Sequence, residues 1–347
     1  MATDGHPPRY RPSAPERSQR IAWPDDFGTR FTILVDTEEE FDWQAPLARE
    51  AQATTAIAAL PDAHRRFADQ GVALAYLVDW PVIASPPAAE VLRRLAEDHG
   101  ATIGTQLHPW VNPPLDEALT PANSFPGNLP RDLEAAKLDR LTAAIEAAVG
   151  RRPRLYRAGR YGLGPATLEL LAERGYRLDS SMRARYDYRP AGGPDFGAIG
   201  NHAFRAGPAG AMIELPLTTV FTGAARAGGE RLYRLLGRAP HGRGAFARAG
   251  LLSRVALTPE DMPLDDALEA VRIAVGEGVR VLNFSFHSPS LVPGHTPYVR
   301  DAADLAAFHG WWQAVLALLA TLGVSAITPD DLIAAADRAL ASGPAAQ

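Results

Sequence analysis

Residues 30–43 read RFTILVDTEEEFDW, and the order of residue types in that stretch decides how the chain is organised. Phe31–Val35 is short, apolar and partly β-branched, the pattern of a buried strand. It runs without a turn signal into Asp36, Glu38, Glu39, Glu40 and Asp42. Carboxylates crowded at a strand end repel one another, and a cation relieves that cost. Side chains alternate along an extended segment, so Asp36 and Glu38 face the same side. Asp36 then suits a base and Glu38 a metal ligand, while Glu39, Glu40 and Asp42 read as bystanders or supporting groups. A run of acids equally suits a solvated loop or the first turn of a helix, where acids favour the dipole.

Outward from this stretch, short apolar runs alternate with helical patterns. VALAYLVDWP (72–81), ATIGTQLHP (101–109), RLYRAGRYG (154–162), YRLDSS (176–181), AMIELPLTTVF (211–221) and VRVLNFSFHS (279–288) read as strands. Between them, PPAAEVLRRLAEDHG (86–100), LPRDLEAAKLDRLTAAIEAAVG (129–150), PLDDALEAVRIAVGEG (263–278) and LAAFHGWWQAVLALLATLG (305–323) read as helices. Repeated strand–helix units predict an α/β fold with a parallel sheet, and about seven units make closure into a TIM-like barrel plausible. Sites in such folds gather at the C-terminal ends of the strands. Asp36, Asp79, His108, Arg157 and His287 each follow an apolar run directly. The Pro- and Arg-rich residues 1–29 are expected as a mobile tail, 30–336 as the barrel domain and 337–347 as a C-terminal tail.

Composition narrows the chemistry. The chain of 347 residues has no cysteine, so thiolate nucleophiles and thiolate metal ligands are excluded. A metal must use imidazole, carboxylate or amide oxygen. A net charge of −5 argues against a nucleic-acid partner. The first twenty residues lack the apolar core of a secretory signal, and no run is long enough to span a membrane. A cytoplasmic location is therefore expected. GxGxxG, GxxxxGK[ST] and GxSxG are all missing, which removes support for nucleotide loops and a serine elbow.

The remaining candidates lie at strand ends. His108 in QLHPWVNPP is a candidate metal ligand, with Gln106 on the same face, although a lone histidine there equally suits a structural role. Trp110 reads as core or as a platform for a sugar ring. Arg157 and Arg160 straddle a glycine, and an arginine fork orients a carboxylate, although the pair equally suits a surface turn, the reading that Arg160 alone favours. His287 ends a buried strand, where it can give a proton to a leaving group or simply be satisfied by a neighbouring backbone. Asp79 lines the pocket or forms a turn before Pro81. Tyr161 and Tyr298 are candidates for stacking on a sugar.

VDTEEEFDW (35–43), QLHPWVNPP (106–114), RAGRYG (157–162) and FSFHSPSLVPGHTPYV (284–299), in this order, resemble the polysaccharide deacetylase (NodB-homology) superfamily, more narrowly its WalW-like branch. The resemblance spans about residues 30–336. It implies an irregular (β/α)7 barrel and hydrolysis of acyl groups on sugars. It implies Asp36 as base, Glu38 and His108 as metal ligands, Arg157 as the group orienting the base and His287 as acid. The family's paired-histidine motif is incomplete, because Gly104 stands four residues before His108. Gln106 occupies the place of the missing ligand, and an amide is a poorer zinc ligand than imidazole. The expected cofactor is a divalent metal ion, zinc first, with cobalt, nickel or manganese as alternatives. The expected activity is deacetylation of a carbohydrate in surface-polysaccharide or lipopolysaccharide biosynthesis. Two alternatives stand beside it: a degenerate barrel that binds or assembles glycans without catalysis, and a metal-free amidohydrolase.

Overall fold

The computed structural model describes residues 10–341; residues 1–9 and 342–347, the outer parts of the two expected tails, lie outside the described residues. Its strands are β1 (Arg30–Thr37), β2 (Ala75–Val78), β3 (Thr102–Leu107), β4 (Leu155–Ala158), β5 (Leu178–Asp179), β6 (Phe204–Ala206), β7 (Met212–Glu214), β8 (Thr219–Thr222), β9 (Ser253–Ala256), β10 (Val281–His287) and β11 (Ser325–Ala326). The main helices are α1 (Leu60–Ala68), α2 (Trp80–Ala84), α3 (Pro86–His99), α4 (Arg131–Val149), α5 (Thr167–Glu173), α6 (Gly229–Leu236), α7 (Gly242–Arg248), α8 (Leu264–Gly276), α9 (Ala302–Thr321) and α10 (Pro329–Ala341).

Strands β10, β1, β2, β3, β4, β5 and β7 lie side by side in that order, all parallel, and form a curled sheet. This is the irregular (β/α)7 arrangement. β6 adds an antiparallel edge to β7. Between β7 and β10 the sheet closes without a regular ladder. Thr218 N donates to Asn283 O at 3.2 Å, and Ser285 N donates to Leu257 O at 3.1 Å. The Asn283 amide also donates to Ser180 Oγ at 2.8 Å and to Leu215 O at 3.0 Å. Side chains thus replace part of the missing backbone pairing.

Alternation along the strands separates two cores. Ile33, Val35, Tyr76, Val78, Leu107, Tyr156, Leu282, Phe284 and Phe286 face outward and pack with the helices. Phe67, Phe284, Phe286, Phe308 and Trp312 form an aromatic layer there, with ring centroids 5.2–6.2 Å apart. Each such buried side chain contributes roughly 1.5–3 kcal/mol. Leu34, Leu77, Leu155, Leu178, Ile213 and Val281 face inward and meet Leu332 and Ile333 of α10, which plug the lower end of the barrel. Farther along the same inward rows the residues turn polar, and that change places the site.

Three expectations are corrected. Residues 10–29 are not a free tail. Ile21 N donates to Ala203 O at 3.1 Å, Tyr10 O accepts from Asp195 N at 3.0 Å, and Trp23 stacks on Phe27 at 4.3 Å. The aromatic residues hidden among prolines and arginines anchor the segment. α10 runs through Ala341, beyond the expected boundary at 336. Residues 211–221 are two strands in two sheets rather than one, because Pro216, which has no N–H to donate, separates β7 from β8. Among the described residues, no helix is long and apolar enough to cross a membrane.

Gly104 shows why β3 and β4 approach as they do. A Cβ there would lie 2.8 Å from Leu155 O and 2.9 Å from Leu155 Cγ. No side chain fits at 104, so no second imidazole can stand four residues before His108. Gly104→Ala is expected to destabilise the protein by about 1–3 kcal/mol, the usual cost of overpacking. Denaturant unfolding checks this, and an unchanged midpoint would contradict the packing described.

Candidate active site

The inward rows end in chemistry-bearing side chains: Leu34, Asp36 and Glu38 along β1; Gly104, Gln106 and His108 along β3; Leu155 and Arg157 on β4; Val281, Asn283, Ser285 and His287 on β10. Parallel register aligns them, with Asp36 beside His287 and Gln106 beside Arg157. They open into a cavity of about 740 Å³, large enough for a small molecule.

Asp36 is buried and held from two sides. Arg157 Nη1 donates to its Oδ1 at 2.6 Å, and Ser285 Oγ donates to its Oδ2 at 3.1 Å. Arg157 is itself fixed, donating to Ser285 Oγ at 2.7 Å, Ser180 O at 3.0 Å and Ser180 Oγ at 3.1 Å. His287 Nε2 lies 3.7 Å from Asp36 Oδ2, while its Nδ1 meets Glu260 Oε2 at 2.6 Å. Glu260 is located further by the backbone N–H of His287 at 3.0 Å and by Ser290 Oγ at 2.6 Å. Burial alone would push the His287 imidazole down. The charges of Glu260, Glu38 and Asp36 and the Glu260 hydrogen bond reverse this and raise it to about 10. The surrounding carboxylates thus favour the protonated imidazole of His287, which stands beside Asp36.

His108 is the centre of a second cluster. Its Nδ1 lies 3.0 Å from Glu39 Oε2 and 3.6 Å from Asp79 Oδ2, and its Nε2 lies 3.5 Å from Glu38 Oε2. Glu39, Asp79 and His108 each bring one ligand atom within 4.8 Å of the others, a buried set that could bind a metal ion. Asp79 is already committed: its carboxylate accepts from Val82 N at 3.1 Å, capping α2, and from Glu39 N at 3.0 Å. A proton on His108 Nδ1 satisfies Glu39 and turns the Nε2 lone pair toward Glu38, the arrangement by which carboxylates orient a metal-binding imidazole. Glu38 Oε1, Glu39 Oε1 and Gln106 Oε1 are all buried with no hydrogen-bond partner. Burial pushes the Glu38 carboxyl up to about 8, with Glu39 and Asp36 adding to the shift and the two histidines opposing it. Buried, unpartnered oxygens on residues beside His108 fit a cation.

Gln106, His108, Trp110, Arg157, Tyr161, His287 and Tyr298 all line the cavity with Asp36 and Glu38. Trp110 stacks on His108 with centroids 4.4 Å apart, and Tyr298 meets Trp43 edge-on at 5.6 Å. Asp79, expected on the substrate wall, does not line the cavity; it lies buried behind Glu39 and His108 as a helix cap. Glu39, read as a bystander or a supporting group, takes the supporting place, with its Oε2 on His108 Nδ1. Glu260, Ser285 and Trp43 were missed. Ser285 had a signal, because it stands two residues before His287 on the same face. Glu260 had none, since it lies in a loop between β9 and α8. The loop after His108 is tied down by Lys137, the sole lysine. Its Nζ donates to Pro109 O at 2.9 Å, Asn112 O at 2.6 Å and Pro114 O at 2.5 Å, and pairs with Glu117 at 2.9 Å.

No protein-family model matches the chain, and no curated protein matches it by sequence. Solved structures do match over nearly the whole length. Puue allantoinase is 14% identical, with 94% of this chain and 95% of that one covered at a TM-score of 0.50. A putative polysaccharide deacetylase from Mycobacterium smegmatis is 17% identical, covering 93% and 94%, at 0.49. A probable polysaccharide deacetylase from Pseudomonas aeruginosa PAO1 is 14% identical, covering 94% and 96%, at 0.49. At 14% identity the likeness to the allantoinase is one of fold.

Removing the Glu260 charge is expected to lower the proton affinity of His287. In Glu260→Gln the imidazole titration, followed by NMR, should shift down from about 10 by roughly one pH unit or more. An unshifted midpoint would show that Glu260 does not set the charge of His287.

Proposed function

We propose that the protein is a metal-dependent, deacetylase-like hydrolase that removes an N-acetyl or related acyl group from a sugar, in the making of a surface polysaccharide or lipopolysaccharide. The observation that carries this reading is the pairing of Asp36 and His287 at 3.7 Å, each held by its own charged partner at 2.6 Å. General acid–base hydrolysis needs these two opposed roles within reach of one bond.

In this reading Glu38, His108 and Gln106 would hold a divalent ion. Bound there, it would supply Lewis acidity to the acyl carbonyl and to water. The chain's own groups do the rest. Asp36, kept in place by Arg157 and Ser285, takes a proton from the attacking water. The water oxygen bonds to the acyl carbon, and the carbon–nitrogen bond breaks. His287 Nε2 delivers its proton to the departing amine, leaving acetate and a free amino sugar. Glu260 keeps His287 protonated and oriented. Trp110, Tyr161 and Tyr298 offer ring faces and edges to the sugar.

Acetate release from N-acetylated sugars tests the proposal. Asp36→Asn and His287→Gln are each expected to lower kcat by about 10²–10⁴-fold. Wild-type rates in either variant would overturn the assignment. Chelation should abolish activity, and added zinc, cobalt, nickel or manganese should restore it. The Gln106 amide favours a second reading, a glycan-binding barrel that has lost its metal. Wild-type protein that takes up no metal on loading and releases no acetate would support that reading instead.

A further inference from the structure

Three guanidiniums line the cavity, and only one is used. Arg157 is committed to Asp36. Arg160 and Arg183 also face the cavity, and neither forms an ion pair among the described residues. Arg160 donates to Ser124 Oγ and lies 4.5 Å over the Phe125 ring. Arg183 lies 3.9 Å over Tyr186 and 5.7 Å over Tyr161 and interacts with the Tyr188 hydroxyl, while its Nε is buried with no hydrogen-bond partner. Tyr188 joins the two, stacking on Tyr161 at 5.8 Å and on Tyr186 at 5.9 Å.

Arg160 keeps contact with solvent, while Arg183 is half-buried among rings, with a buried Nε and no counterion among the described residues. Stacking on an aromatic face returns less than the cost of burying a charge. Nearby acids do not fill the role. Glu260 is taken by His287 and Ser290. Asp261 feels the charge of Arg183 but makes no ion pair with it. The backbone adds an independent sign. Arg160 and Tyr161 are successive non-glycine residues with φ of 55° and 58°. Such conformations are strained and gather at ligand sites.

We propose that Arg160 and Arg183 form an anion subsite of this cavity, which selects sugars bearing a carboxylate or a phosphate. The proposal rests on the reading that the cavity takes a carbohydrate. Planar forks of N–H donors match both oxyanions, and the tyrosines exclude competing water. The acids around Asp36 would repel such a group, so the two arginines would orient the substrate with its anion away from the reacting bond.

Calorimetry on the full chain tests this with three probes: N-acetylglucosamine, the same sugar with an anomeric phosphate, and N-acetylmuramic acid, which carries a carboxylate. At least one anionic sugar should bind about tenfold or more tighter than the neutral one. The better of the two identifies the oxyanion. The preference should collapse in Arg183→Gln and shrink in Arg160→Gln, which lies on a separate segment and serves if the first variant misfolds. Equal affinity for all three, no binding at all, or an unchanged preference in both variants would overturn the subsite. Acetate release is read separately. Anion preference without acetate release would sink the deacetylase reading and leave the subsite. Equal release from neutral and anionic sugars, with equal binding, would do the reverse.

Discussion

The buried ion pair between Arg157 and Asp36 is the contact on which the upper barrel depends. It joins β4 to β1 across the interior, and its second donor, Ser285, lies on β10. Both charges are almost fully removed from solvent. Such a pair is weak evidence for stability in itself, but losing one partner costs roughly 3–5 kcal/mol. The energy is thus committed to geometry. With Arg157 fixed by Ser180, the Asp36 carboxylate has one position, and His287 is measured against it.

The second constraint is the alternation of side chains. The same rows that bury Leu34, Leu155 and Val281 below present Asp36, Arg157 and Ser285 above. An apolar lower half supplies the burial that supports a polar upper half. Close approach at Gly104 brings β3 against β4, and Gly159 does the same for the turn beneath His108. A Cβ on Gly159 would fall 2.4 Å from His108 Cδ2. Glycine at both positions lets the imidazole row and the guanidinium row share one wall.

Much of this was legible in the residues. A strand core followed at once by polar side chains marks a strand end, and Asp36, His108, Arg157 and His287 all carry that mark. Alternation placed Asp36 with Glu38, and Gln106 with His108. Contacts made by loops left no pattern to read. Glu260 reaches His287 only through the return of the chain before α8, and the Arg183–Tyr186–Tyr188 wall comes from a stretch without periodicity. Asp79 illustrates the opposite error. It stands at a strand end as the others do, yet Pro81 starts a helix there, and the carboxylate caps it instead of facing the cavity. Alternation turns Glu39 from Asp36, and that same turn delivers it to His108 Nδ1.

The central claim is that Asp36 and His287 act as one acid–base unit. A double-mutant cycle on kcat/KM for acetate release measures this most directly, with Asp36→Asn, His287→Gln and the two combined. Groups that act together are strongly non-additive. The account predicts that the double variant is about as slow as the slower single variant. Losses that multiply, as for independent sites, would contradict it.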